Sequence, residues 1–242
     1  MPHALAIETS GRLSSVAISE AGVVLAQESF EHGLKHAAEI LPRIDALMKA
    51  VGWRPADLAE IYVSTGPGSF TGLRIGITLA KTLAFATNAK LVAVPSVQVL
   101  ARNAPPEARE VIITLDAKRD QIFTARLHRE GAGDDWTPSE PAHLDSLAAM
   151  ISRSPRPVYL LGEGLPFHRK FIGENEAGVI ETDPELWRAR AEVVVQMGYL
   201  AARRGEFISP QSLIPLYIRK PEAEEKLEAR RAADELKNFC HG

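Results

Sequence analysis

The sequence predicts an α/β fold in two lobes. Three observations carry this expectation. Short β-branched and aromatic runs alternate with apolar stripes of helical period along most of the 242 residues. A hairpin pattern near the N-terminus is echoed by a second one at 111–127. Between them, Asn103-Ala104-Pro105-Pro106-Glu107 is polar and proline-rich, the composition of a linker. The chain is therefore expected to divide into an N-terminal lobe at 1–103, a C-terminal lobe at 108–220 and a charged tail at 221–242.

The elements follow in order. Residues 4–7, 15–19 and 23–27 read as three strands, and Gly11 and Gly22 between them supply the turns of an antiparallel meander. Residues 34–51 carry Leu34, Ala37, Leu41, Ile44, Met48 and Val51 at helical spacing, and Gly52 ends the helix. Pro42 inside it lacks an N–H, which predicts a kink or a delayed start. Residues 61–63 form a buried strand, 71–85 a helix, 91–94 a strand and 95–102 a short helix. The second lobe reads as strands at 111–115 and 121–127 around a turn at 116–120, then a loop at 131–135. A helix at 144–151, a strand at 158–161 and a long helix at 189–204 complete it. Residues 221–238 hold only Leu227 and Leu236 as large apolar side chains before Phe239, the pattern of a solvated helix or partly ordered tail.

Composition narrows the function classes. An apolar fraction of 45% and a charged fraction of 24% are ordinary for a globular protein. A net charge of −3 gives no global attraction to nucleic acid or an anionic membrane. Cys240 is the only cysteine, so a disulfide framework and a cysteine metal site are excluded. No basic and apolar leader opens the chain and no apolar run has the length of a membrane span, so a cytoplasmic protein is expected.

The stretch Ser64-Thr65-Gly66-Pro67-Gly68-Ser69-Phe70-Thr71-Gly72-Leu73 turns a strand into a helix through glycine and proline. Such a turn gathers backbone N–H groups toward an anion. Neither a P-loop nor a dinucleotide fingerprint fits its spacing, because Thr71 stands where the latter needs glycine. Ser69 is not in a Gly-x-Ser-x-Gly elbow and has no histidine placed by sequence to activate it.

This stretch closely resembles the signature of the TsaB (YeaZ) family, bacterial proteins needed to make the threonylcarbamoyl modification on adenosine 37 of tRNA. Leu115-Asp116-Ala117-Lys118-Arg119-Asp120-Gln121-Ile122-Phe123 matches a second signature of the family, and Pro215-Leu216-Tyr217-Ile218-Arg219 its usual ending. That family is similar to TsaD, the catalytic subunit of the same pathway, and both look like members of the acetate kinase/sugar kinase/Hsp70/actin superfamily. The resemblance implies two actin-like lobes, the second reduced. It also implies a non-catalytic subunit that pairs with a TsaD-like protein and helps recruit a TsaE-like ATPase. ATP would be used by the complex through those partners, tRNA met indirectly, and a homodimer formed when the chain is alone.

Candidate sites are few. Glu8-Thr9-Ser10 ends the first strand where kinase-like relatives place an acidic residue and a phosphate turn: Glu8 would hold hydrated Mg²⁺ and Thr9 or Ser10 a phosphate. Against this, Gly11-Arg12-Leu13 is bulky for a phosphate turn, and such residues are routine strand-end chemistry. The turn 116–120 is all side chain, and its alternating charge argues for internal or intersubunit pairing. Gly162-Glu163-Gly164 reads either as an adenosine-contacting turn or as a strand–loop turn. His32 and His36 have the four-residue spacing of metal ligands but no evident third ligand.

The TsaD family carries a His-x-x-x-His metal pair after the proline matching Pro95, and the corresponding positions here are Gln98 and Arg102. No metal centre and no catalytic residue is therefore expected. Arg188, Arg190, Arg203 and Arg204 are the nearest thing to a basic patch for direct tRNA contact.

For the partner interface the resemblance points to the two first-lobe helices, with Leu41, Ile44 and Met48 on one and Gly72, Leu73, Gly76 and Ala80 on the other. Small residues four apart allow close helix approach to a partner, or equally to the chain's own sheet. An independent ATPase or small-molecule kinase is the rival reading, and a glycoprotease-like peptidase the next.

Overall fold

A computed structural model describes residues 1–31, 36–173 and 176–218. The chain opens with the meander β1 (His3–Glu8), β2 (Leu13–Glu20) and β3 (Val23–Glu31). There follow α1 (His36–Ala50), β4 (Glu60–Ser64), α2 (Phe70–Thr87), β5 (Lys90–Val94) and α3 (Ser96–Ala101). The second half runs β6 (Glu110–Asp116), β7 (Ile122–His128), β8 (Thr137–Asp145), α4 (Leu147–Arg153), β9 (Val158–Leu161), α5 (Leu165–His168), β10 (Val179–Glu181) and α6 (Ala191–Arg203).

The two sheets have one topology. The first is ordered β3-β2-β1-β4-β5 and the second, read the same way, β8-β7-β6-β9-β10. In each, three antiparallel strands are followed by two parallel ones, the first added to the first strand of the meander and the second added to that one. This is the duplicated α/β arrangement expected from the echoing hairpins. The second sheet keeps five strands, so its reduction lies in the helices: α4 has 7 residues, against 15 in α1 and 18 in α2.

Three elements were not anticipated, among them the short helix α5. Residues 137–145 form β8, and the helix expected from 144 begins only at Leu147, where Ser146 Oγ accepts the Ala149 N–H. Pro138 and Pro141 mask this strand in the sequence. They are tolerated because β8 is a sheet edge, where a missing N–H costs no ladder bond. The short strand β10 was likewise unseen.

The expected boundary at 103–108 marks where the chain enters the second sheet, but the end of the chain does not stay there. Helix α6 packs on the first sheet: the Ala191 N–H donates to Ser15 Oγ at 2.8 Å, Arg203 pairs with buried Glu60, and Gly198 lies on Tyr62. A Cβ at Gly198 would stand 2.3 Å from the Tyr62 ring, so only glycine permits this approach. Ile208 then bridges to Leu91, and the Leu216 N–H donates to the Thr65 carbonyl at 2.7 Å. Residues 191–218 therefore pack on the first sheet. The expected tail at 221–242 lies outside the described residues, as do Arg219, His32 and the His36 side chain.

Two hydrophobic clusters hold the molecule. Leu5, Ile7, Ile61 and Val63 face α1 and α2 through Ile40, Ile44, Met48, Ile77 and Ala80. Ala4, Ala6 and Tyr62, on the other side of the same sheet, join α6, α3 and the second sheet in one continuous core. Alternation along β1 thus places odd residues under the helices and even residues toward the second lobe.

Candidate functional site

The ends of β1, β4, β6 and β9 meet between the sheets, where sequence placed Glu8, Thr9 and Ser10. All three are buried there. Glu8 follows the even phase, and its Oε1 accepts the backbone N–H and the hydroxyl of Ser10, both at 2.6 Å. Its Oε2 has no partner. Burial pushes the Glu8 carboxyl above its ordinary value, against the lowering effect of the Ser10 hydrogen bonds. Thr9 follows the odd phase and points into α2, where its Oγ1 is unpartnered and lies against Gly76.

The loop's remaining groups are also engaged. The Ser10 carbonyl accepts the Ser69 N–H at 2.7 Å, and Gly68 approaches it so closely that a Cβ would sit 2.3 Å away. The Arg12 N–H donates to Glu163 Oε2 at 2.8 Å. Two backbone donors that face an anion in a phosphate turn are thus held by the chain's own carboxylates, Glu8 and Glu163. The arrangement brings carboxyl groups together here, and an incoming polyphosphate would have to displace them.

The turn after β6 is built differently. Lys118, Arg119 and Asp120 all adopt left-handed backbone, with φ of 64°, 55° and 56°. Side chains fasten this turn: Asp116 binds Lys118 at 3.1 Å and His168 Nε2 at 3.2 Å, and Lys170 reaches Asp120 at 2.8 Å. The alternating charges are paired within the chain. His168 is buried, so α5 is anchored on the end of β6.

Gln98 and Arg102 lie on one face of α3 beside a cavity of about 210 Å³ lined also by Trp136, Met197 and Arg204. Arg102 pairs with Asp135. Among the described residues no group of three or more His, Cys, Asp or Glu is placed to hold a metal ion. The four arginines considered for tRNA contact each face a carboxylate: Arg188 meets Glu185, Arg190 meets Glu192, Arg203 meets Glu60 and Arg204 meets Glu206.

The expected interface residues divide sharply. Ile44, Met48, Gly72, Leu73, Gly76 and Ala80 are buried inside this chain, and Leu41 alone of the set is exposed, at 50%. Gly76 serves the approach of α2 to β1, since a Cβ there would meet Thr9 Oγ1 at 2.3 Å and Ile7 Cγ2 at 3.4 Å. Six of the seven therefore do not form an outer surface.

The outward face of α1 and α2 is made by other residues. On α2, Arg74, Ile75, Thr78 and Leu79 line, over buried Ile40, a mostly apolar groove of about 350 Å³. At one end the Arg74 guanidinium lies 3.9 Å over the Phe70 ring and donates from Nε to the Tyr217 hydroxyl at 2.9 Å. Ile214 is 68% exposed beside Leu216 and Tyr217, and Phe85 is 87% exposed near the far end of α2. A sequence signal existed: Ile75, Leu79 and Phe85 are large apolar residues outside the stripe of Leu73, Ile77, Ala80 and Ala84 that faces the sheet.

With this geometry in hand, the chain can be set beside known proteins. The family profile described as TsaD, tRNA N6-adenosine threonylcarbamoyltransferase, matches residues 31–226. A Bacillus subtilis protein named tRNA threonylcarbamoyladenosine biosynthesis protein TsaB is 30% identical over 225 residues, covering 92% of this chain and 96% of that relative. The chain belongs to the TsaB family. An Escherichia coli TsaB is 26% identical over 238 residues, covering 93% of this chain and 98% of its own. YeaZ from Pseudomonas aeruginosa superposes with a TM-score of 0.75 at 24% identity, over 90% of this chain and all of that one, which establishes the shared fold. The TsaB signatures fall on the strand–turn–helix at Gly66–Gly72 and on the fastened turn after β6, so both are framework around the cleft.

Proposed function

We propose that this protein is a non-catalytic subunit of the machinery that makes threonylcarbamoyladenosine in tRNA, acting in the cytoplasm. The α1–α2 face docks on a TsaD-like catalytic subunit, and the pair recruits a TsaE-like ATPase, so that ATP is consumed by partners and tRNA is met through the complex. Without its partner the same face supports a homodimer, since one apolar patch on each copy is self-complementary.

One observation carries this reading: the apolar groove of Ile40, Ile75 and Leu79 opens outward, while the cleft's donors are bound to Glu8 and Glu163. Exposed contiguous apolar surface rimmed by polar groups marks protein–protein contact. Membership of the TsaB family supports the pathway, because the curated relatives are named for threonylcarbamoyladenosine biosynthesis. Among the described residues no helix is long and apolar enough to cross a membrane.

The test combines this protein with TsaD, TsaE, tRNA and threonylcarbamoyl-adenylate, omitting each protein in turn. Modified tRNA should require this chain, which alone should turn over neither ATP nor tRNA. Leu79→Asp, at a groove position outside the buried core, should remain folded yet fail to co-elute with TsaD. ATP hydrolysis by the isolated chain that is lost on Glu8→Ala would overturn the reading in favour of an independent ATPase.

A further inference from the structure

The loops that face each other across the cleft are each clamped to their own sheet by glycine. On the second sheet, the Gly164 N–H donates to the Thr114 carbonyl at 2.9 Å. Cβ atoms at Gly162 and Gly164 would stand 2.4 Å from Thr114 O and 2.6 Å from Asp116 N. On the first sheet, Gly68 and the Ser69 N–H clamp the Ser10 carbonyl. Glu163 projects from the first clamp to the second: its Oε2 accepts the Arg12 N–H at 2.8 Å and would lie 3.3 Å from a Cβ on Gly11. The Arg12 guanidinium in turn lies 5.0 Å over the Phe167 ring of α5, so the same residue is held twice by the second lobe.

We propose that Glu163 is an interlobe latch whose hydrogen bond to the Arg12 backbone N–H sets the opening of the cleft between the two sheets. The shared core around α6 and Tyr62 joins the two sheets and acts as the fixed edge. A hydrogen bond to an ionised acceptor is stronger than a neutral one, so a single carboxylate is adequate for the task. The surroundings keep the contact poised. Burial and the nearby Glu8 work against ionised carboxylates here, while Arg12 and Arg188 favour an ionised Glu163. The latch does not depend on the subunit reading above and is tested on the isolated chain.

The experiment compares Glu163→Ala and Glu163→Gln by amide hydrogen exchange. It also measures the distance between spin labels at the exposed positions Thr71 and Pro166 in a Cys240→Ser background. Alanine removes the acceptor. Exchange at the Arg12 amide should rise about tenfold or more, and the label distance should lengthen and broaden, with β1 and α6 amides unchanged. Glutamine keeps a carbonyl oxygen for the same N–H without the charge, and should give values between wild type and alanine in both readouts. Unchanged Arg12 protection and distance in Glu163→Ala would overturn the latch. So would exchange rising equally through β1 and α6, because Glu163 would then be holding the fold as a whole.

Discussion

Replacing Gly76 by alanine separates the two uses that small residues on α2 could have. A Cβ there would stand 2.3 Å from Thr9 Oγ1 and 3.4 Å from Ile7 Cγ2, and both residues are fully buried. The oxygen contact is roughly 1 Å inside normal van der Waals distance, so either α2 lifts from β1 or the stiff Thr9 side chain leaves its rotamer. Overpacking of this kind costs about 1–3 kcal/mol, and the short contact places Gly76→Ala at the upper end. Helix propensity returns about 1 kcal/mol. The net loss is about 2 kcal/mol, or about 4–8 °C in Tm for a chain of this size. Calorimetry on Gly76→Ala, Thr9→Ala and the double variant reads it directly. Thr9→Ala deletes a buried hydroxyl that has no partner, so it should cost little alone and should restore most of the stability in the double variant. The folded fraction of Gly76→Ala should still bind its partner, since the residue faces inward. Wild-type stability with lost pairing would refute the reasoning and put Gly76 back on the outer surface.

Two further outcomes follow from the same geometry. Gly198→Ala should be the more damaging change, by roughly 3 kcal/mol or more, because its Cβ would meet Tyr62 Cγ at 2.3 Å and Cβ at 2.6 Å, atoms with no freedom to move; a urea midpoint equal to wild type would show that α6 does not pack as described. Glu8→Gln tests the buried carboxyl through pH. Burial raises the Glu8 pKa above 4.5 in the folded state, so its favourable contribution is present below that value and is lost as pH rises through the folded pKa. Wild type should therefore lose stability relative to Glu8→Gln as pH rises above 4.5, and a difference independent of pH would show that Glu8 is not a buried titrating group.

Much of the first lobe was legible because its signals are local. The turn glycines Gly11 and Gly22 and the β-branched run at β4 each specify their element within a few residues. The second lobe was harder for a physical reason. β8 is defined by pairing with β7, and its two prolines read as loop until the edge position explains them. The destination of α6 is also non-local: its apolar stripe declares a buried face, but only Gly198 on Tyr62 and Ala191 on Ser15 reveal which sheet covers it. At the candidate site the sequence located Glu8, Thr9 and Ser10 at a strand end and marked the small stripe of α2 as a place of close approach. It did not show that the approach is to β1, nor that Glu163, distant by 151 residues, would occupy the Arg12 N–H.

The proposed subunit role would have a duplicated α/β architecture work without acting on a substrate of its own. The loops between its sheets have donors aimed inward, and here Glu8 and Glu163 hold them while Gly68, Gly162 and Gly164 lock the backbone around them. A cleft satisfied in this way has little free energy to gain from a polyphosphate, since every new hydrogen bond would replace an existing one. The outward faces of α1 and α2 are in the opposite condition. Leu41, Ile75, Leu79 and Phe85 have apolar surface still in water, and each Å² removed from it favours association by about 25 cal/mol before the entropic cost of docking. Binding free energy is therefore available at the helices and scarce in the cleft, which is why the subunit reading is preferred to that of an independent kinase.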